Sequence, residues 1–147
     1  MKPEEMYEAY EDVSDALEAS WEEQDSAAFT EALGILRHLA ETGVVEAISA
    51  LAEILALPGP HRDQAAAYRW YFIAYSAEDY RTEFIEQPGP HYVGPVGDFR
   101  NEAPVVGLVD ELGFDRIRRL DEEACGWLGT HKIFFSDPRD HRTAKRP

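Results

Sequence analysis

The chain has 147 residues, with 14 Lys and Arg against 29 Asp and Glu, so its formal net charge at pH 7 is −15. A negative field of this size repels nucleic acid and anionic lipid and favours a basic partner. No apolar run approaches the roughly 18 residues that a membrane-spanning helix needs. We therefore expect a globular protein that binds neither nucleic acid nor membranes.

Composition also bears on compartment and domain number. The first twelve residues, MKPEEMYEAYED, are acidic and lack the apolar run of a signal peptide, so we expect a cytoplasmic protein. The single cysteine, Cys125, falls in a helical pattern and is predicted to be a structural thiol. We predict one helical domain over residues 1–135, present as a monomer or weak dimer, followed by a flexible basic tail over residues 136–147.

The first predicted helix begins near Pro3 and continues to about Glu23. Acidic residues recur along it at three- and four-residue spacing: Glu8, Glu11, Asp15, Glu18 and Glu22. This spacing places them in one anionic strip, where like charges weaken an isolated helix by a few tenths of a kcal/mol per pair. We predict that the strip attracts a basic protein partner. Solubility alone is the alternative explanation.

A second helix is predicted from Ala27 to about Thr42. Asp25 or Ser26 supplies the N-terminal cap, and Gly43 ends the helix as a C-terminal glycine does.

Residues 40–75 contain two further helical patterns, joined by a turn of Pro58, Gly59, Pro60 and His61. The apolar positions are Ala47, Ala50, Leu51, Ile54 and Leu55 in the first pattern and Ala67, Trp70, Tyr71, Ala74 and Tyr75 in the second. Each set lies on one side of a helix, so the segment is predicted to be an αα-hairpin. We place Leu51 and Trp70 in its core and Asp63 at the N-cap of its second helix.

This hairpin resembles the Sel-one-like repeat, a relative of the tetratricopeptide repeat. The matching positions are Gly43, Ala47, Leu51 with Ala52, Gly59, Asp63, Ala67, Trp70 with Tyr71, and Ala74. The resemblance implies an all-α fold, a short α-solenoid of stacked αα-hairpins, and a role in binding other proteins. The turn departs from the repeat at Pro58 and Pro60, and no second good copy follows. An ordinary helical hairpin has the same spacing.

The chain also resembles small acidic bacterial immunity proteins, which neutralise a cognate toxin by covering it. That resemblance implies a basic toxin as the partner.

Residues 86–104 hold four prolines and three glycines, which ends the helical periodicity. We predict an ordered loop inserted at about residues 80–103 that packs on the helices. Its candidate partner contacts are Tyr92, Asp98, Phe99 and Arg100, because aromatic and Arg side chains dominate binding hot spots. Arg100 is also expected to fix the loop, through Asp98 or a helix-end carbonyl.

The same loop supports an alternative function. His91, Asp98 and Glu102 have the chemistry of a metal or acid–base site, which would make the protein a small metal-dependent hydrolase centred on residues 86–102. However, Asn101 and Glu102 fit equally well as a cap for the helix that follows. The sequence has no zinc-ligand spacing, no phosphate-binding glycine motif and no nucleophile motif. We therefore predict a non-catalytic protein without a cofactor.

Two last helices are predicted after the loop. The first begins at Pro104 and ends at Gly113, and the second is capped by Asp115 and ends at Gly129. The segment HKIFF, residues 131–135, is expected to lie extended against a helix end.

Overall fold

The computed structural model describes residues 2–79 and 99–137. These residues form six α-helices, α1 (Pro3–Ala19), α2 (Ala27–Thr42), α3 (Val45–Ala56), α4 (Gln64–Asp79), α5 (Ala103–Leu112) and α6 (Phe114–Thr130). Short 3-10 turns occupy Trp21–Glu23 and Phe99–Asn101. In the described ranges no β-strand forms, apart from an isolated parallel bridge between Val44 and Phe134. The prediction of an all-α protein is confirmed.

Two helices begin at the predicted caps. The Ser26 hydroxyl oxygen accepts a hydrogen bond from the Phe29 amide at 3.1 Å, at the start of α2. At the start of α4, a carboxylate oxygen of Asp63 accepts from the Ala66 amide at 3.0 Å. Both side chains satisfy amides in the first helical turn that have no partner within the helix.

The end of α1 differs from the prediction. The helix ends at Ala19 rather than near Glu23. The Ser20 hydroxyl donates to the Ala16 carbonyl oxygen at 2.7 Å, and the chain then enters a 3-10 turn. The Trp21 ring then packs edge-on against the Phe29 ring, with centroids 5.9 Å apart. Residues Trp21–Glu23 therefore form a 3-10 turn that contacts α2, instead of the last turn of α1.

Both predicted limits of α6 are wrong. Its N-cap is Gly113, whose positive φ of 83° turns the chain directly into the helix, so Asp115 lies in the first turn and does not cap. At the other end α6 passes through Gly129 to Thr130. The Thr130 hydroxyl bonds back to the Trp127 carbonyl oxygen at 3.1 Å, which gives the last turn a partner.

A single hydrophobic cluster extends from α1 to Ile133, and α3 and α4 share the largest helix–helix interface within it. Leu51 is fully buried in that interface, as predicted. Trp70 is only half-buried and packs at the edge of the cluster, which corrects its placement in the core. At the centre of α4, Tyr68 is completely buried.

The segment after α6 returns to the junction of α2 and α3. The Phe134 amide donates to the Gly43 carbonyl oxygen at 2.9 Å, and the Val45 amide donates to the Phe134 carbonyl oxygen at 3.0 Å. The predicted extended run against a helix end is therefore confirmed.

The first two residues of the predicted tail, Ser136 and Asp137, are also bonded to α3. Ser136 is buried, and its amide and hydroxyl donate to one carboxylate oxygen of Glu46 at 2.9 and 2.8 Å. Asp137 donates its amide to the other oxygen at 3.3 Å. A tail starting at residue 136 is thus wrong for these two residues, and residues 138–147 lie outside the described part of the chain.

Gly43 is the residue on which this return depends. Its φ of 104° is left-handed, and a β-carbon there would overlap the carbonyl oxygen of Lys132. Glycine alone meets both demands, since it has no side chain and adopts positive φ without strain.

No helix in residues 2–79 and 99–137 is both long enough and apolar enough to cross a lipid bilayer.

The first prediction compares two glycines. Gly43→Ala should lower the free energy of unfolding by about 2 kcal/mol or more, because it combines left-handed strain with an overlap against backbone. Gly34→Ala is the matched control. Gly34 lies within α2 with open space around it, so alanine there should raise the free energy of unfolding by about 0.5–1 kcal/mol. Urea denaturation of both variants measures the difference. Equal stabilities would contradict the close approach at Gly43.

Candidate functional site

The acidic strip predicted on the first helix is exposed to solvent. Glu8, Glu11, Asp15 and Glu18 lie on α1 and Glu22 in the turn after it, and all five are exposed. Of the other α-helices, α1 packs mainly against α2, so its acidic side is left open. Four of these carboxylates share one side of the helix, which we call the α1 strip (Glu8, Glu11, Asp15 and Glu18).

Two tyrosines lie beside the α1 strip, toward α3. Tyr7 and Tyr10 are half-buried, with ring centroids 6.1 Å apart. The pKa of Tyr10 is raised, first by burial and then by the charges of Glu46, Tyr7 and Glu53. Because Glu46 and Glu53 belong to α3, α1 and α3 present neighbouring side chains on one face of the molecule.

Glu53 acts on α4 in the same way. Burial, followed by the charge of Glu53 and then Tyr75, raises the pKa of Tyr71 to about 12. The pKa of Tyr75 is raised by burial, then by Glu102, then by Glu53. Glu53, an exposed carboxylate of α3, therefore lies close to three tyrosines, one on α1 and two on α4.

We call this surface the tyrosine face. Its members, from α1, α3, α4 and the N-terminus of α5, are Tyr7, Tyr10, Glu46, Glu53, Tyr75 and Glu102, and the buried Tyr71 packs next to Tyr75 with ring centroids 6.4 Å apart. Its two α3 carboxylates have different roles. Glu46 holds Ser136 and Asp137, whereas Glu53 is exposed and forms no ion pair with another described residue. Phenol rings around such a carboxylate suit the cationic side chains of Lys and Arg.

The spacing of residues in α3 and α4 carries a signal for this face. Glu46 and Glu53 are two helical turns apart and are the only charged residues of α3, and Tyr71 and Tyr75 are one turn apart. Residues at these spacings lie on the same side of a helix. The spacing alone therefore indicates an acidic pair on one side of α3 and a tyrosine pair on one side of α4, and the structure shows that Glu53 lies close to both tyrosines.

Phe99 is a core residue in the structure, contrary to its predicted contact with a partner. It is only 3% exposed. Its ring centroid lies 5.7 Å from those of Tyr68 and Phe72 and 5.5 Å from that of Tyr75. These contacts leave Phe99 little surface for another protein.

Arg100 connects three elements of the fold. One guanidinium nitrogen donates to Asp121 at 2.7 Å, and Nε donates to the Tyr68 hydroxyl oxygen at 3.1 Å. The Tyr68 hydroxyl in turn donates to Asp121 at 2.6 Å. Arg100 does fix this part of the chain, as expected, but its described partners are side chains of α4 and α6 rather than a helix-end carbonyl.

The other predictions for this loop concern Tyr92, Asp98, His91 and Glu102, of which the structure describes only Glu102. Tyr92, Asp98 and His91 lie in the range 80–98, which the structure does not describe. Glu102 occupies the N-cap of α5 without a side-chain hydrogen bond, so the predicted capping by its carboxylate is wrong. Within residues 2–79 and 99–137, no group of three His, Cys, Asp or Glu side chains is placed to hold a metal ion.

Comparison of the chain with protein-family models, with curated protein sequences and with solved structures gives no match.

The second prediction concerns alkaline pH. The pKa values of Tyr10, Tyr68, Tyr71 and Tyr75 are raised in the folded protein, whereas the unfolded chain restores them to about 10. Above that pH the unfolded state loses protons first, so the free energy of unfolding should fall as pH rises. The contribution of Tyr71 declines up to a pH of about 12.

Denaturation at a series of pH values from about 8 to 11 measures this fall. Tyr71→Phe should make it shallower, because one of the shifted groups is removed. The native protein's phenolate absorbance should also appear later than that of the denatured chain. A free energy of unfolding that stays constant above pH ~10 would contradict the raised pKa values.

Proposed function

We propose that the protein is a non-catalytic protein-binding module whose tyrosine face receives a basic protein. The observation that carries this proposal is the position of Glu53, an exposed carboxylate that acts on Tyr10, Tyr71 and Tyr75 across two helices. It combines negative charge with aromatic surface in one place, and basic side chains bind to that combination.

Charge and aromatic surface contribute to different stages of binding. The α1 strip and the net charge of −15 act at long range, so they raise the rate at which a basic partner arrives. The tyrosines act at contact, where large rigid rings lose little conformational entropy. Tyr75 is half-buried and close to both Glu53 and Glu102, which makes it the leading candidate for a short-range contact.

We further propose that the helices form a short α-solenoid of the Sel-one-like type. In support, successive helices pack on one another, and Gly43 ends α2 in the left-handed conformation. The small residues at the matching positions, Ala47, Ala52, Ala67 and Ala74, are buried.

A narrower form of the proposal names the partner class. We propose that the protein acts in the cytoplasm as a monomeric immunity protein, and that its partner is a basic toxin that it covers. Support comes from the small size of the chain, its negative charge and the acidic character of the tyrosine face. A positively charged toxin surface, such as one that binds nucleic acid, is complementary to that face.

The third prediction tests the face by differential capture. Proteins retained by the immobilised wild-type chain are compared with those retained by Glu53→Lys and by the matched control Glu31→Lys. Glu31 is an exposed acid on α2 outside the tyrosine face, so the two variants have the same net charge. We expect a basic protein that wild type and Glu31→Lys retain and that Glu53→Lys loses, because a lysine there repels it.

Kinetics with that purified protein then separate the two stages. Reversing Glu11 and Asp15 to Lys should slow association and flatten its salt dependence, with less effect on dissociation. Tyr75→Ala should instead speed dissociation by about fivefold or more. Equal retention by Glu53→Lys and wild type, with circular dichroism showing intact helices, would place the interface elsewhere. Retention of an acidic protein alone would refute the charge argument.

A further inference from the structure

A second site lies between α4, α6 and the end of α2. It is a cleft of about 400 Å³, within the range that holds a small ligand. Trp70 from α4 and Trp127 from α6 line it, together with Glu41 at the end of α2. On α4, Trp70 is rotated roughly 100° about the helix axis from Tyr71 and roughly 140° from Tyr75. Neither tyrosine lines the cleft, so the cleft is separate from the tyrosine face.

Three aromatic rings meet in this cleft. The Trp70 and Trp127 rings form a T-shaped pair, with centroids 5.5 Å apart and an interplanar angle of 79°. His131 stacks on Trp127 at 4.1 Å and 6°, and its Nδ1 lies 2.8 Å from the Trp127 carbonyl oxygen. In a T-shaped pair, the ring that presents its edge keeps both faces clear of its partner. At least one indole face is therefore not covered by either of the other two rings, and both tryptophans are only half-buried.

The charged side chains that line the cleft, Glu41, Glu123 and Arg69, sum to one negative charge, while Arg116 and Arg119 lie beside Arg69 and Glu123 in the adjoining groove. Glu123 is paired with Arg69 at 2.8 Å, so these two lining residues cancel. Glu41 is exposed and makes no ion pair with another residue of the described ranges. One carboxylate is therefore uncompensated beside an aromatic floor, and Ile73 and Ala124 supply apolar walls.

We propose that this cleft binds a quaternary ammonium group. The face of an indole attracts a cation, and the carboxylate of Glu41 adds a direct charge interaction. Methyl groups on the nitrogen match the apolar walls and need no hydrogen-bond partners. An unmethylated ammonium is strongly hydrated and loses more on entering such a site. The proposal does not depend on the partner of the tyrosine face.

The fourth prediction uses the three tryptophan side chains of the protein as reporters of ligand binding. The chain has three Trp residues, so a nitrogen-15 spectrum contains three indole N–H signals, which single Trp→Phe variants assign. Choline should shift the signals of Trp70 and Trp127. Trp21 should not respond, although it too lies beside two carboxylates, Glu22 and Asp25, and it therefore reports non-specific attraction.

Binding variants separate the aromatic and charge contributions. Trp70→Leu should weaken choline binding about tenfold. Glu41→Gln should weaken it about threefold and reduce its salt dependence, whereas Glu31→Gln, the matched control on the same helix, should leave it unchanged. Because Glu41 is exposed, its variant remains informative even where Trp70→Leu unfolds. The alcohol 3,3-dimethylbutan-1-ol has the shape of choline without its charge, so it should bind about tenfold more weakly.

Two arms identify the source of the group. Free choline is compared with a peptide that carries trimethyllysine, and tighter binding of the peptide assigns the site to a modified protein, tighter binding of choline to a small molecule. The proposal is overturned if neither ligand shifts the Trp70 and Trp127 signals at concentrations up to about 20 mM. It is equally overturned if Trp21 shifts as much as they do, or if the neutral alcohol binds as well as choline.

Discussion

The close approach at Gly43 is the constraint on which the arrangement of the helices depends. Three segments meet there: the end of α2, the start of α3 and the extended segment after α6. A left-handed residue without a side chain lets the Lys132 backbone lie against the turn. Phe134 can then donate its amide to the Gly43 carbonyl oxygen and accept a hydrogen bond from the Val45 amide. The direction in which α3 leaves this junction then decides where Glu46 and Glu53 are placed.

The C-terminal half depends on a second, polar contact. The buried Tyr68 hydroxyl joins Asp121 of α6 and Arg100 of the turn before α5, so α4 is fixed to both neighbours by one hydrogen-bonded group. A buried hydroxyl of this kind costs stability unless it is paired, and here it donates and accepts. Because α4 is fixed in this way, it contributes to both sites. Tyr75 belongs to the tyrosine face, with Tyr71 packed next to it, and Trp70 lines the cleft.

Local chemistry made the helix boundaries near Ser26, Gly43 and Asp63 predictable from the sequence. These residues act on amides and carbonyls within four positions of themselves, so their effects can be predicted from the neighbouring sequence. The end of α1 was not predictable in this way, because a contact between Trp21 and Phe29 decided it.

The same distinction between local and long-range contacts applies to the candidate sites. Exposure of the α1 strip followed from helical periodicity. The core position of Phe99 depends on three aromatic rings of α4, and periodicity within a proline-rich segment does not reveal them. The Trp70–Trp127 pair likewise joins two residues that are more than fifty positions apart in the chain, a separation that no local pattern covers.

The return of the C-terminal segment also has a consequence for folding kinetics. Most helix contacts join neighbours in the chain, a topology that folds rapidly. The bond between Ser136 and Glu46 spans 90 residues, so its loop-closure entropy is lost only when the other helices are nearly in place. An interaction that forms after the transition state changes the unfolding rate and leaves the folding rate almost untouched. We therefore expect the bonds between Glu46 and the segment after α6 to affect mainly the unfolding rate, and the packing among α1 to α4 to affect mainly the folding rate.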